Sequence, residues 1–378
     1  MSGGENLFRK RRILFTIPNF DTAGSGKALF NIATRLDKNI FEPHICCFHN
    51  KGDYFNTVNS TGIPTHIFQT TTPMKPRFKG ILTCFRIARY FKQLNMDLIH
   101  SFHYAPDYSE ALAAKIAGIP WIYTKKNMNW GGKSKNGWKL RTVLANHIIA
   151  QNKSMINWFF SNSKKISLIP RGVDINHFSP KSKNLNLLEQ LLIPKTEKVI
   201  LTVANLVPVK GIEVLLDAFE LLSKNNDNIT LLIVGENNNE YGTTLKKKSK
   251  RMKSNNKILF IGKVQNILDY YSIADIFILP TLNKGRMEGC PVSLLEAMAC
   301  GLPVLASDIP GIQDVLEHFQ DCLFNSGEVS KLQVKIEKLL INKEFKNIKK
   351  NRKHINLNYS IEKEVKSHES VYIKCLNL

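Results

Sequence analysis

At 378 residues, 43% of them hydrophobic and 9% aromatic, the chain is longer than one core of ordinary size sustains; it reads as two folded domains and not as a disordered or low-complexity protein. Fifty-three Lys+Arg against 31 Asp+Glu give a formal net charge of +22, a field that attracts nucleic acid, anionic lipid and phosphorylated small molecules alike. The charge therefore sets the sign of a partner and leaves its class open.

Arg9 to Arg12 ahead of Ile13–Ile17 imitates a signal start, but Pro18 ends the apolar run after five residues. Nowhere does an uncharged apolar run approach ~18 residues, so no membrane span is expected. Ile13–Ile17 reads as a buried parallel strand, followed by a loop with Gly24 and Gly26 and a helix over 27–36. Strand, Gly loop and helix suit a phosphate, and equally a plain tight turn. Strands are expected at Pro43–Phe48 and Pro64–Phe68, around a helix over 53–63. Ile81–Leu94 reads as an amphipathic helix with Ile81, Phe85, Ala88 and Phe91 on one side and Arg86, Arg89 and Lys92 toward another. That pattern describes a core-facing helix, with an anionic membrane surface as the alternative. His100 and His103 fall at the end of a strand over Asp97–His100, where open α/β sheets bind ligands. A strand at Trp121–Thr124 leads into a basic loop with Trp130 and Trp138, open to single-stranded nucleic acid or to sugar stacking. Strand 147–151, helix 153–160 and strand 166–170 complete the first half.

The second half alternates in the same way. Val199–Ala204 is a strand, the following loop carries Asn205 and Lys210, and a helix spans Ile212–Ser223. Thr230–Val234, Ile258–Gly262 and Ile276–Pro280 read as strands, Leu245–Lys257 as a solvated basic helix face and Ile267–Ala274 as a helix. The run Arg286–Pro303, RMEGCPVSLLEAMACGLP, reads as loop, helix and stop: apolar Leu294, Leu295 and Met298 at helical spacing, Pro291 at the entry and Gly301 at the exit. The helix start welcomes an anion. Glu288 precedes it and Glu296 lies about one turn inside. On spacing alone the two are a loop acid and a helix-surface acid, with acceptance of sugar hydroxyls as the other reading. Val304–Ser307 is a further strand and a Lys-rich helical tail runs from Lys331. The seven cysteines show no C-x-x-C spacing and suit the buried, reduced thiols of a cytosolic protein.

The spacing Glu288-x7-Glu296, with the adjoining LEAMACGLPVLASDIPGIQDVL, closely resembles the signature of retaining glycosyltransferases of family 4. The resemblance spans nearly the whole chain and is strongest from Val199 to Pro310. It implies the GT-B fold: two doubly wound, Rossmann-like α/β domains facing a cleft. The acceptor-side domain would be 1–180, with the last helix, 361–378, packing back on it, and the donor domain would be 181–360. It implies that Glu288 contacts the donor sugar, Glu296 the ribose and the turn at Val292, Ser293 and Leu294 the diphosphate, with Gly289 and Cys290 beside them. Gly24 and Gly26 match the family's Gly-rich loop, Lys210 its diphosphate lysine and Val264 its base-contacting loop. Asn205 stands where the family has an arginine, and Arg171, which replaces an asparagine in the segment from Ile169, or Arg286 would supply the missing cation. His103 takes the family's donor-sugar histidine, here in H-x-x-H spacing. The implied activity is transfer of a sugar from a nucleotide-diphosphate sugar to a hydroxyl acceptor, a glycan or lipid-linked glycan, in cell-surface polysaccharide or lipopolysaccharide synthesis. No resident metal or cofactor is implied. The implied location is the cytoplasm, with peripheral contact at the inner face of an anionic membrane left open. A GT-B nucleotide-sugar epimerase and a basic nucleic-acid-binding protein are the competing readings, the last ranked lowest.

Overall fold

The computed structural model describes residues 9–21, 23–104, 107–129, 135–285, 287–341 and 348–378. The chain splits into two compact units, one of Met1–Arg171 with Ile361–Leu378, the other of Gly172–Ser360.

The first unit alternates β1 (Arg11–Thr16), α1 (Ala23–Arg35), β2 (Phe41–Cys47), α2 (Asp53–Asn59), β3 (Thr65–Ile67), α3 (Arg77–Leu94), β4 (Leu98–Ser101), α4 (Ser109–Ala117), β5 (Trp121–Lys125), α5 (Lys135–Leu144), β6 (His147–Ala150), α6 (Lys153–Phe159) and β7 (Ile166–Leu168). Its parallel sheet runs β3-β2-β1-β4-β5-β6-β7. The strand order reverses between β1 and β4, which pair through Ile13 with Leu98 and Thr16 with Ser101. Apolar side chains cover both faces. Phe15, Leu29, Ile32, Phe41 and Ile45 pack on one, and Leu14, Ile87, Phe91, Ile99 and Trp121 on the other. The final helix of the chain, Ile361–Leu376, belongs to this unit and seals the first face with Ile361, Val365, Val371 and Tyr372.

The second unit comprises α7 (Leu185–Gln190), β8 (Lys198–Val203), α8 (Ile212–Ser223), β9 (Ile229–Val234), α9 (Glu240–Lys250), β10 (Ile258–Gly262), α10 (Ile267–Ile273), β11 (Ile276–Leu279), α11 (Val292–Ala299), β12 (Val304–Ser307), α12 (Ile312–Val315), β13 (Leu323–Phe324), α13 (Val329–Ile341) and α14 (Ile348–Asn358), so the final helix is α15. The sheet runs β10-β9-β8-β11-β12-β13, again parallel, and reverses between β8 and β11. α8 shows why such a segment is helical: Ile212, Leu215, Leu216, Phe219 and Leu222 recur at helical spacing and all are buried. α11 ends where its glycine allows. Leu302 N–H donates to the Ala297 carbonyl at 3.0 Å and Gly301 N–H to Met298 at 3.1 Å, with Gly301 at φ 78°, a left-handed helix stop.

Two parallel α/β sheets with helices between their strands agree with the predicted fold class, and several elements differ in detail. α1 begins at Ala23, so Gly24 and Gly26 lie in the first turns of the helix and not in a loop ahead of it. α3 buries Ala88 and Phe91 as expected, but its other buried residues are Gly80, Cys84 and Ile87, while Ile81 and Phe85 face out. The last part of the expected basic loop is helix α5, and its Trp138 is a core residue packed with Tyr123. The cysteines are unpaired, five of them buried.

Candidate functional site

Open α/β sheets bind ligands at the carboxyl ends of the strands where the order reverses. In the second unit that point lies between β8 and β11, so the chain segments 204–211 and 280–291 are brought together there. Their backbones are stitched: Leu282 N–H donates to the Val209 carbonyl at 2.7 Å. Gly211 has φ 63°, and a Cβ built on it would stand 2.1 Å from the Pro280 carbonyl oxygen, so no larger residue fits that approach. Gly311, after β12, does the same for the other loop: at φ 85° its Cβ position is 2.6 Å from the Gly289 oxygen and 3.1 Å from that of Glu288.

This framework joins two of the predicted residues. Lys210 ends a 3-10 turn, Pro208–Lys210, and its Nζ lies 2.6 Å from Glu288 Oε1. The lysine side chain is 11% exposed and the glutamate 44%, so the cation is held deep while the carboxylate stays open to a ligand. Just beyond, α11 starts at Val292, behind Pro291, with no side-chain cap and no acid in its first turn. The first N–H groups of such a helix, at Val292 and Ser293, make a positive pole.

Glu296 is not a surface acid: it is buried, and its Oε2 accepts the Tyr271 hydroxyl at 2.9 Å. Tyr271 is fully buried, and burial together with the neighbouring Glu296 charge pushes its pKa well above the ordinary value, keeping the hydroxyl a donor. Tyr271 is a residue that sequence reasoning missed; its signal was a tyrosine on an inward position of α10, which needs a partner for its hydroxyl. Gly289 and Cys290 are buried beside Glu288, Asn205 is exposed in the turn after β8 and Val264 is half-buried after β10. Arg286 lies outside the described residues.

In the first unit the geometry separates the two histidines. His100 is fully buried with both nitrogens engaged, Nδ1 at 2.7 Å from the Tyr372 hydroxyl and Nε2 at 2.8 Å from Thr124 Oγ1. Burial first, then His368 and Lys126, hold its pKa well below the ordinary value, so it is a neutral structural ring. His103 is also buried, with Nε2 3.2 Å from Thr70 Oγ1 and 3.3 Å from Glu110 Oε1. Glu110, another residue not foreseen, is fully buried. Burial raises its pKa, but His103 and hydrogen bonds from His103, Ser101 and Thr70 outweigh it and hold the carboxyl down to about 2. Gly26 owes its size to packing, since a Cβ there would stand 2.8 Å from Phe20 Cδ1; around Gly24 the space is open. Arg171 is buried, its Nε 3.0 Å from Glu364 Oε1 on α15. The geometry commits this arginine to a partner inside the first unit. Trp130 lies outside the described residues, and the burial of Trp138 removes it as a stacking platform. Among the described residues no group of three or more His, Cys, Asp or Glu is placed to hold a metal ion, and no helix is long and apolar enough to cross a membrane.

Comparison with known proteins agrees with the sheet order and the motif. The profile of "Glycosyl transferases group 1" matches residues 184–355 and that of "Glycosyltransferase Family 4" matches 22–177. Both profiles are those of glycosyltransferases, one on each half of the chain. Relatives of the chain include the amylovoran biosynthesis glycosyltransferase AmsK of Erwinia amylovora, 33% identical over 41% of this chain and 37% of that one. Another is the capsular polysaccharide biosynthesis glycosyltransferase CapH of Staphylococcus aureus, 25% identical over 85% and 86%. A third is the Escherichia coli UDP-Gal:alpha-D-GlcNAc-diphosphoundecaprenol alpha-1,3-galactosyltransferase, 24% identical over 78% and 80%. Across the first three curated relatives the matched stretch spans 37%, 46% and 61% of their length, about half. A glycosyltransferase structure from Rickettsia africae superposes with a TM-score of 0.85 at 20% identity, covering 98% of this chain and 99% of that one. Anabaena HepE in complex with UDP and glucose gives 0.79 at 20% identity, covering 95% and 98%. These two likenesses show the fold.

Proposed function

We propose that the chain is a family 4 glycosyltransferase that moves a sugar, with retention of its anomeric configuration, from a nucleoside-diphosphate sugar to a hydroxyl of a glycan or lipid-linked glycan in cell-surface polysaccharide synthesis. The observation that carries the reading is the Lys210–Glu288 pair, 2.6 Å apart at the strand-order reversal and next to an uncapped helix start. A donor of this class presents in sequence the groups these residues complement. Its diphosphate meets Lys210 and the first-turn N–H groups of Val292 and Ser293, and its sugar hydroxyls donate to Glu288. The ribose reaches Glu296, which Tyr271 orients, and the base lies along the loop at Val264. Lys210 would exchange part of its contact with Glu288 for the diphosphate as ligand enters. With Asn205 neutral, this chain has one cation fewer than its family pattern, and Arg286 is the candidate to replace it. On the first unit, His103, held by Thr70 and Glu110, is assigned by the family resemblance to sugar recognition. The UDP and glucose of the Anabaena complex and the lipid-linked acceptor in the E. coli relative's name support the substrate classes.

The chemistry asks for stabilisation of the charge that develops on the departing diphosphate; one such donor is typically worth about a hundredfold in rate or more. It also asks that sugar and acceptor be held in line, the task of Glu288. The reading needs no resident metal. The test is transfer of labelled sugar from UDP-, GDP- and ADP-sugars to lipid-linked acceptors, by the wild type and by Glu288→Gln. Glu288→Gln should lose at least about a hundredfold in transfer with unchanged melting, because the side chain is half open to solvent and its loss leaves no buried gap. Near-normal transfer by this variant would remove Glu288 from the site.

A further inference from the structure

Helix α3 carries two apolar stripes, and the fold uses one of them. Gly80, Cys84, Ile87, Ala88 and Phe91 are buried against the sheet. Phe78, Ile81, Leu82 and Phe85 are 62%, 42%, 64% and 55% exposed. These four have i, i+3, i+4, i+7 spacing and form one face, roughly 130° around the helix from the buried stripe at 100° per residue. Single exposed apolar side chains are ordinary; four large ones side by side mark a surface that is covered in use.

The charge around this face has one sign. Lys75, Arg77, Lys79, Arg86, Arg89 and Lys92 are all exposed, and from Thr71 to Met96 the sequence contains no Asp or Glu. Of the acids that follow in the chain, Asp97 and Asp107 are half-buried, Asp97 paired with Arg9 and the Arg12 N–H and Asp107 accepting from Ser109, and Glu110 is fully buried. The first turn of α3 has no acid and no side-chain cap, so the positive end of its dipole adds to Arg77 and Lys79 with nothing to offset it. α5 shares the core on this side of the sheet through Trp138 and exposes Leu140 and Val143.

Three occupants can be weighed against these facts. A nucleic acid would use the basic residues but has no place for Ile81 and Leu82 in the middle of them. A second copy of the chain would bring the same positive face against itself. An anionic bilayer uses both parts: aromatic and aliphatic side chains enter the boundary between headgroups and acyl chains, and the flanking Arg and Lys meet the phosphates. We infer that the α3 face of Phe78, Ile81, Leu82 and Phe85, with its basic flanks, docks the protein in the plane of an anionic lipid surface. This docking stands apart from the nucleotide-sugar reading, because vesicle binding is measured with neither donor nor acceptor present.

The experiment is co-sedimentation of the full chain with vesicles of phosphatidylcholine alone and of phosphatidylcholine with phosphatidylglycerol in equal parts. Binding is expected to the mixed vesicles, weakened by salt. Leu82→Ser with Phe85→Ser should cut it about tenfold or more at unchanged melting temperature, since both side chains are already exposed. Lys79→Gln with Arg86→Gln should cut it about fivefold per charge. Leu82→Trp should be quenched by brominated mixed-lipid vesicles. Equal binding to neutral vesicles, or mixed-vesicle binding untouched by the serine pair, would overturn the inference. So would a dimer in sedimentation velocity that the serine pair dissolves, or RNA binding that outcompetes the vesicles and ignores that pair.

Discussion

At the scale of single residues, burial decides what each titratable group can do. Lys210 and Glu288 form a pair whose glutamate remains half open, the condition for a side chain that meets a ligand. His100 and His368 are the opposite case: both lie wholly inside the first unit. Burial, with His368 and Lys126 adding, keeps His100 well below the ordinary 6.5; burial, with Arg171 adding, takes His368 down to about 3. With the folded pKa depressed, acid protonates the unfolded chain first. Stability from these neutral rings is complete above about pH 6.5 and is lost as pH falls below it, for His368 down to about 3, at about 1.4 kcal/mol per pH unit within that window. Glu110, held to about 2, adds a loss of the same sign below about 4.5. Melting of the first unit should therefore fall between about pH 7 and about pH 5, and His368→Phe should flatten that slope. A melting temperature indifferent to pH across this range would contradict the buried neutral state. Of these groups, Lys210, Glu288 and Glu296 were singled out by their resemblance to the family signature, since spacing alone reads Glu288 as a loop acid and Glu296 as a helix-surface acid. Tyr271, Glu110 and Thr70 were not legible as site residues, since their contacts join segments 25, 9 or 33 positions apart that only the folded sheet brings together.

At the scale of elements, the strands were readable because parallel strands buried on both faces are continuous apolar runs bounded by charge or proline. α8, β10 and β12 run from Ile212 to Ser223, Ile258 to Gly262 and Val304 to Ser307, the spans their sequence patterns predict. The misreadings share a cause. α3 has two stripes with helical spacing, and periodicity cannot tell which faces the sheet, so Ile81 and Phe85 were placed inward. α1 starts on Ala23 although Gly24 and Gly26 lower helix propensity, and α5 begins among lysine, asparagine and glycine. There the tertiary contacts of Leu29, Ile32 and Trp138 outweigh local preference. Glycine is informative where the chain closes on itself. Gly211→Ala would set a Cβ against the Pro280 carbonyl at a left-handed φ, and should destabilise the second unit by about 2 kcal/mol or more while weakening donor binding through Lys210 beside it. An alanine variant that melts and binds as wild type would show that the two loops are not held together at this point.

At the scale of the whole molecule, two sheets of the same doubly wound design carry different cargoes of side chains. The second unit concentrates a cation, two carboxylates and a helix start at its strand-order reversal. The first holds a buried histidine–glutamate network at its own, and a basic, acid-free face on α3. The net charge of +22 leaves the class of partner open, as it did at the outset; what narrows it is where the charges sit. The measurement that tests the account most directly is thermal stability of wild type and Lys210→Ala against UDP, GDP, ADP and their common sugars. A ligand at about 100 times its dissociation constant adds about 2.7 kcal/mol, a clear rise in melting temperature. The account predicts that one base series produces this rise and that Lys210→Ala loses most of it. No rise with any nucleotide, or a rise that Lys210→Ala leaves intact, would contradict a nucleoside-diphosphate sugar site built on Lys210 and Glu288.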